Sequence, residues 1–134
     1  MVKVVNAFIS SRLDYCNSLL AGVGEGLLSK LQSIQNTAAR FITRTRKFEH
    51  ISPVLRDLHW LPIRQRIDFK VATLVHKCLN GTAPSYLADD CIAASTVSGR
   101  RHLRSADTGT LLVPRVQNKY GSMYFAVYGP TIWN

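Results

Sequence analysis

Acidic side chains are scarce in this sequence. Eight Asp and Glu stand against 17 Lys and Arg in 134 residues, a formal charge of +9. A surplus of that size raises on-rate and affinity for phosphate backbones, and it serves solubility or contact with an anionic membrane equally well. Cysteine is sparse too. Cys16, Cys78 and Cys91 are odd in number and include no Cys-x-x-Cys, which argues against a disulfide framework. His76, Cys78 and Cys91 have no standard zinc spacing, so no metal is expected. All three cysteines read as small hydrophobes of the core or its edge. No apolar run approaches the ~18 residues needed to span a bilayer. The stretch Val2 to Ile9 is too short and polar for a signal peptide. The expectation is an intracellular chain without membrane contact, cytoplasm and nucleus not being distinguished. Asn80-Gly81-Thr82 matches a glycosylation sequon, which in such a chain marks only a turn.

Catalytic constellations are missing as well. There is no Gly-rich phosphate loop with a following Lys-Ser/Thr, no HExxH and no GxSxG. His59 beside Trp60 has no evident nucleophile or carboxylate partner and reads as a packing residue. Asp89-Asp90 is reminiscent of the aspartate pair that holds two divalent metals in template-dependent polymerases. That site needs an aromatic-x-Asp-Asp turn between strands and a third carboxylate nearby. Here Leu87 takes the aromatic position and the pair follows a Pro-Ser helix start. No catalytic residue and no cofactor is expected.

What is present is a folding composition. Hydrophobic residues make up 46% and charged residues 19%, close to the globular average, which argues against wholesale disorder. The length allows one domain and hardly two. The charge is uneven. Residues 1–47 sum to +5, residues 48–94 to zero and residues 95–134 to +4. No internal repeat is found.

Periodicity predicts a mainly α chain. The first helix runs from about Val4 to Leu20, with Val5, Phe8, Ile9, Leu13, Cys16, Leu19 and Leu20 on one face. Arg12 lies on that face and calls for a carboxylate or helix-end carbonyls as partner; Asp57 and Asp68 are candidates, the alternative being a side chain that snorkels to solvent. The second helix runs from about Glu25 to Lys47, with an apolar stripe of Leu27, Leu28, Leu31, Ile34, Ala38, Phe41 and Ile42. Arg40, Arg44 and Lys47 cluster opposite, with Lys30 nearer the stripe's edge. They read either as a solvated face or as a row laid along a phosphate backbone. Ser52-Pro53 predicts the start of a short helix through Leu58. A longer helix follows from Pro62 to Leu79, with Ile63, Ile67, Val71, Leu74, Val75 and Cys78 inward and Arg66, Lys70 and Lys77 beside them. Asn80-Gly81 caps it. Ala83-Pro84-Ser85 opens one more turn to about Asp90. From Ala94 to Thr110 the chain reads as a mobile basic loop carrying Arg100, Arg101 and Arg104. Leu111-Leu112-Val113 is a short strand at most, and a helix from Ser122 to Tyr128 is expected to break at Gly129-Pro130.

Several strings, in order and spacing, carry a resemblance. They are Ser11-Arg12-Leu13-Asp14-Tyr15-Cys16-Asn17-Ser18-Leu19-Leu20, then Leu31-Gln32-Ser33-Ile34-Gln35-Asn36-Thr37-Ala38-Ala39-Arg40. His50-Ile51-Ser52-Pro53-Val54-Leu55 and Leu58-His59-Trp60-Leu61-Pro62-Ile63-Arg64-Gln65-Arg66-Ile67 follow. Ala83-Pro84-Ser85-Tyr86-Leu87, Tyr120-Gly121 and Trp133-Asn134 complete the set. Together they resemble the region just after the palm in reverse transcriptases of non-LTR (LINE-type, jockey-like) retrotransposons, over nearly the whole chain. The resemblance implies a small helical bundle of thumb type over residues 1–94 and a basic loop with an irregular, weakly ordered C-terminal extension over 95–134. It implies a non-catalytic piece of an RNA-directed DNA polymerase, because the family's catalytic aspartates lie upstream in the palm and match nothing here. The implied partners are the backbone of an RNA–DNA or DNA duplex and the palm domain. The residues expected at the duplex are Lys30, Arg40, Arg44, Lys47, Arg66, Lys70, Lys77, Arg100, Arg101 and Arg104. Two other readings stand beside this one: a relic of a decayed element without selected function, and an interaction module that docks a palm.

Overall fold

A computed structural model describes residues 2–96 and 109–134. The protein is mainly helical, and among the described residues the only β-type pairing is an isolated antiparallel bridge between Ala93 and Leu111. The chain divides into two compact units, Met1–Ile67 and Asp68–Asn134. The division falls inside a helix, whereas the composition changes later, at 94/95. The expected loop residues Arg100, Arg101 and Arg104 lie outside the described residues.

The first unit opens with helical turns of changing pitch: α1 (Val2–Val5), a π-helical stretch Asn6–Ser10, and α2 (Ser11–Asp14). One continuous helix to Leu20 is not formed. Tyr15 leaves the helix, Cys16 takes φ 51°, and Asn17–Leu20 forms a 3-10 turn. The wider π turn shifts the register and the left-handed residue redirects the chain, so a constant 100° step does not carry through. Val5 is buried, but Phe8, Cys16 and Leu19, expected inward, are exposed. Arg12 is exposed too and makes no hydrogen bond or ion pair among the described residues, so the paired-arginine expectation is replaced by the snorkelling one.

Helix α3 (Glu25–Thr43) ends short of the expected Lys47, because Arg44 adopts φ 58° in the left-handed region. Its buried side carries Leu28, Gln35, Ala38 and Ala39. This face is rotated from the expected apolar stripe, and Leu27, Ile34 and Phe41 are largely exposed. The rotation follows from two glutamines. Gln35 is fully buried and donates its side-chain amide to the Leu61 carbonyl at 2.8 Å. Gln32 donates to Gln35 Oε1 at 3.0 Å and to Asn36 Oδ1 at 2.8 Å, and accepts the Ile63 N–H at 2.8 Å. Satisfied in this way, polar groups are tolerated inside.

Helix α4 (Ile51–Asp57) starts before Ser52-Pro53, with His50 as the capping residue. Pro53 then sits in the first turn, where its missing N–H would have had no helical partner. The helix ends with the His59 N–H on the Arg56 carbonyl at 2.9 Å and the Trp60 N–H on the Leu55 carbonyl at 2.8 Å. These two bonds close the helix with His59 at φ 55°, a place usually given to glycine. Helix α5 (Ile63–Leu79) buries Ile63, Ile67, Val71, Val75 and Cys78 of the stripe that periodicity predicts, while Leu74, also expected inward, is half-buried. It ends in the same pattern, Gly81 N–H on Cys78 and Thr82 N–H on Lys77, with Gly81 at φ 67°.

In the second unit α6 (Ser85–Ala88) leads to the Ala93–Leu111 bridge, and α7 (Phe125–Trp133) closes the chain. The expected break at Gly129-Pro130 does not occur. Both residues are buried within α7. A Cβ on Gly129 would stand 3.0 Å from Val75 Cγ2, so glycine is what lets α7 approach α5. Tyr128 donates to Asp68 at 2.8 Å. Asn134 grips Leu111 twice, accepting its N–H at 2.8 Å and donating to its carbonyl at 2.9 Å. The tail over 109–134 is thus tied down by specific bonds instead of being weakly ordered throughout, and these bonds compensate the N–H that Pro130 removes.

Candidate nucleic-acid interface

The cationic residues fall into three groups. Lys30 is exposed on α3, Arg44 is exposed at its left-handed end, and Lys47 is exposed in the turn that follows. None of the three makes an ion pair among the described residues. Lys70 and Lys77 are exposed on the part of α5 that belongs to the second unit. Arg40 and Arg66 are differently employed. Arg40 is half-buried, and its guanidinium donates to the carbonyls of Arg46 and, at 2.9 Å, Glu49. It braces the turn that carries Lys47. Arg66 donates to Asp14 at 2.7 Å and to the Leu61 carbonyl at 3.3 Å. The expected single helical row from Lys30 to Lys47 therefore becomes a helix residue, a cap residue and a braced turn.

Sequence reasoning missed what the acids do. Asp14 and Glu25 are the only acids in residues 1–47, and each is ion-paired with an arginine of α5, Arg66 and Arg64 respectively. The pairs link residues distant in sequence, so i,i+4 counting could not find them. Their consequence is electrostatic: with both of these acids held by α5, Glu49 in the turn after α3 is the acid nearest in sequence to Arg44 and Lys47.

Other candidate chemistry is placed as follows. His59 is exposed at the end of α4, where its backbone bonds explain its position. Asp89 and Asp90 follow the four-residue α6, with their N–H groups on the Ser85 and Leu87 carbonyls. Among the described residues no group of three or more His, Cys, Asp or Glu could hold a metal ion. No helix among them is long and apolar enough to cross a membrane. Cys78 is buried and Cys91 half-buried, as expected, whereas Cys16 is exposed. Burial pushes the Cys91 thiol up to about 12, aided by the neighbouring Cys78 thiol, a hydrogen bond to it, and Asp90. A thiol so held stays protonated and is a poor nucleophile.

Against known proteins, no family model matches the chain, and no curated protein or solved structure is a match to it.

Proposed function

We propose that the chain is a non-catalytic, thumb-like module of a LINE-type reverse transcriptase that contacts the backbone of a template–primer duplex. The observation that carries this reading is the set Lys30, Arg44 and Lys47: exposed and in no ion pair among the described residues, with Glu49 the one acid close to them in sequence. The ordered strings of the sequence support it from a separate direction. Phosphate contacts of this kind position a duplex without reading its bases. Lys70 and Lys77 offer further contacts on the second unit.

A salt titration of duplex binding tests the proposal. Three neutralised phosphates give a slope of about −2.7 in log K against log salt on B-DNA. Reversing Lys30 and Lys47 to Glu should weaken binding equally on every sequence and remove about two-thirds of that slope. Arg40 is left alone, since its removal would loosen the turn it braces. Binding that is unchanged in the double variant would overturn the role of this patch and direct attention to Arg100, Arg101 and Arg104. Primer extension with Mg²⁺ or Mn²⁺ should give no incorporation; incorporation abolished by Asp89→Asn would overturn the non-catalytic reading.

A further inference from the structure

The first unit contains an apolar groove of about 340 Å³, and nothing in the duplex reading uses it. Its walls are Val5 and Ile9 on one side and Ile34, Ala38 and Phe41 of α3 on the other. Ser33 and Thr37 complete the lining, and the Thr37 hydroxyl is spent on the Ser33 carbonyl at 2.9 Å. The groove thus offers apolar contact and almost no hydrogen-bonding capacity, which does not suit a phosphate backbone. Around it the apolar surface continues: Phe8 is 74% exposed, Phe41 62% and Ile34 50%. A contiguous apolar patch of this kind marks an interaction surface.

The rim decides the occupant. Lys30 stands one turn before Ile34 on α3, and Arg44 follows Phe41 at the helix end. On the opposite wall Arg12 stands one turn beyond Phe8 and Ile9. None of these three cations is in an ion pair among the described residues, and the two acids of residues 1–47 are held by Arg64 and Arg66. The floor is therefore apolar, and the helical register sets unpaired cations about one turn from its walls. From Ile34 to Phe41 the wall rises about 10 Å, two helical turns. An i, i+3/i+4, i+7 set of apolar side chains on another helix spans the same distance.

We propose that this groove receives the apolar face of an amphipathic α-helix whose flanks carry Asp and Glu. Its apolar residues fill the space between the N-terminal turns and α3, and its carboxylates face Arg12, Lys30 and Arg44. A second copy of this chain would bring like charges together on the rim, which disfavours it. A bilayer is flat and does not enter a concave slot.

The test uses the full chain and two synthetic helical peptides of about 15 residues, long enough to hold helix when stapled. Both carry Leu at i, i+3 and i+7; one has Glu and the other Lys at the flanking positions. Fluorescence anisotropy should show the Glu peptide binding at least about ten-fold more tightly than the Lys peptide at low salt, with the difference shrinking as salt rises. Phe41→Ser should weaken the Glu peptide about ten-fold or more, in the manner of an interface hot spot, while leaving duplex binding as it was. Should Phe41→Ser unfold the chain, Lys30→Glu reads the same interface at an exposed, unpaired position and should cost several-fold. Equal binding of the two peptides, or full affinity in Lys30→Glu or in a folded Phe41→Ser, overturns the proposal. So does Phe41-dependent binding to phosphatidylcholine–phosphatidylserine vesicles without peptide binding, or self-association of the free chain through Phe41.

Discussion

Gln35 is the side chain on which the first unit turns. A fully buried amide ordinarily weakens a core, yet here it and Gln32 tie α3 to the Leu61 carbonyl and to the first N–H of α5. The two glutamines are not equivalent. The Leu61 carbonyl keeps Arg66 Nε at 3.3 Å if Gln35 is lost. The Ile63 N–H donates to Gln32 and has no second acceptor among the described residues. Gln32→Leu should therefore cost about 2 kcal/mol and Gln35→Leu about 1 kcal/mol, the double variant costing less than the sum. Urea unfolding of the three proteins checks the order; a larger loss for Gln35→Leu would overturn it. The cysteines separate just as clearly. Cys16 is exposed, so iodoacetamide should modify it well before Cys78 or Cys91. The Cys91 thiol, pushed up to about 12, holds its proton more tightly in the folded chain than in the unfolded one. Its stabilising contribution is thus complete below about pH 9 and is lost as pH rises toward 12. Unfolding midpoints followed from pH 8 to 11 should fall, and a Cys91→Ser variant should fall less.

Among the described residues three α-helices end on a left-handed residue: Arg44 after α3, His59 after α4 and Gly81 after α5. Only the last is glycine, the residue that takes this conformation without steric cost. Arg44→Gly and His59→Gly should each stabilise the chain by about 0.5–1 kcal/mol, and Gly81→Ala should destabilise it by about 1 kcal/mol. Thermal unfolding of the three variants decides this. Arg44→Gly has a second readout, because it also removes a cation from the proposed duplex contact: a more stable protein that binds less tightly is the expected result. The same helix ends show how far the sequence could be read. Asn80-Gly81 signals its cap directly, and the inward set Ile63, Ile67, Val71, Val75 and Cys78 follows from period alone. Arg44 and His59 carry no such signal, so α3 was expected to run on to Lys47. The early helix misled for a related reason: a π stretch changes the register, and no residue from Asn6 to Ser10 announces it. At Gly129-Pro130 local chemistry predicted a break, and tertiary contact with Val75 and the Asn134 grip on Leu111 prevailed. In the candidate site, composition revealed the cations, but which of them are spent on structure depended on partners beyond helical spacing, the Glu49 carbonyl being nine residues from Arg40 and Asp14 being 52 residues from Arg66.

For the chain as a whole, the +9 charge acts on folding and binding in opposite directions. Like charges repel in the compact state, and among the described residues only two ion pairs, Arg64–Glu25 and Arg66–Asp14, offset them. Both involve at least one well-exposed partner, so each contributes about 1 kcal/mol or less. Added salt shortens the reach of the repulsion from about 10 Å at 0.1 M to about 3 Å at 1 M. It screens many repulsive pairs and few attractive ones, so stability should rise. Duplex binding should respond the other way, since displaced counterions are less readily released into concentrated salt. Raising NaCl ten-fold from 0.05 M should lift the unfolding midpoint by a few degrees, about what 1 kcal/mol does in a chain of this size. Over the same range duplex affinity should fall by about 500-fold if three phosphates are engaged. Reversing Lys30 and Lys47 to Glu lowers the net charge by four and should flatten both responses together, because the same uncompensated cations produce them. A midpoint that falls with salt would show that attraction outweighs repulsion in the folded chain. A flattened midpoint response with an unchanged binding slope would move the duplex contact away from α3 and its following turn.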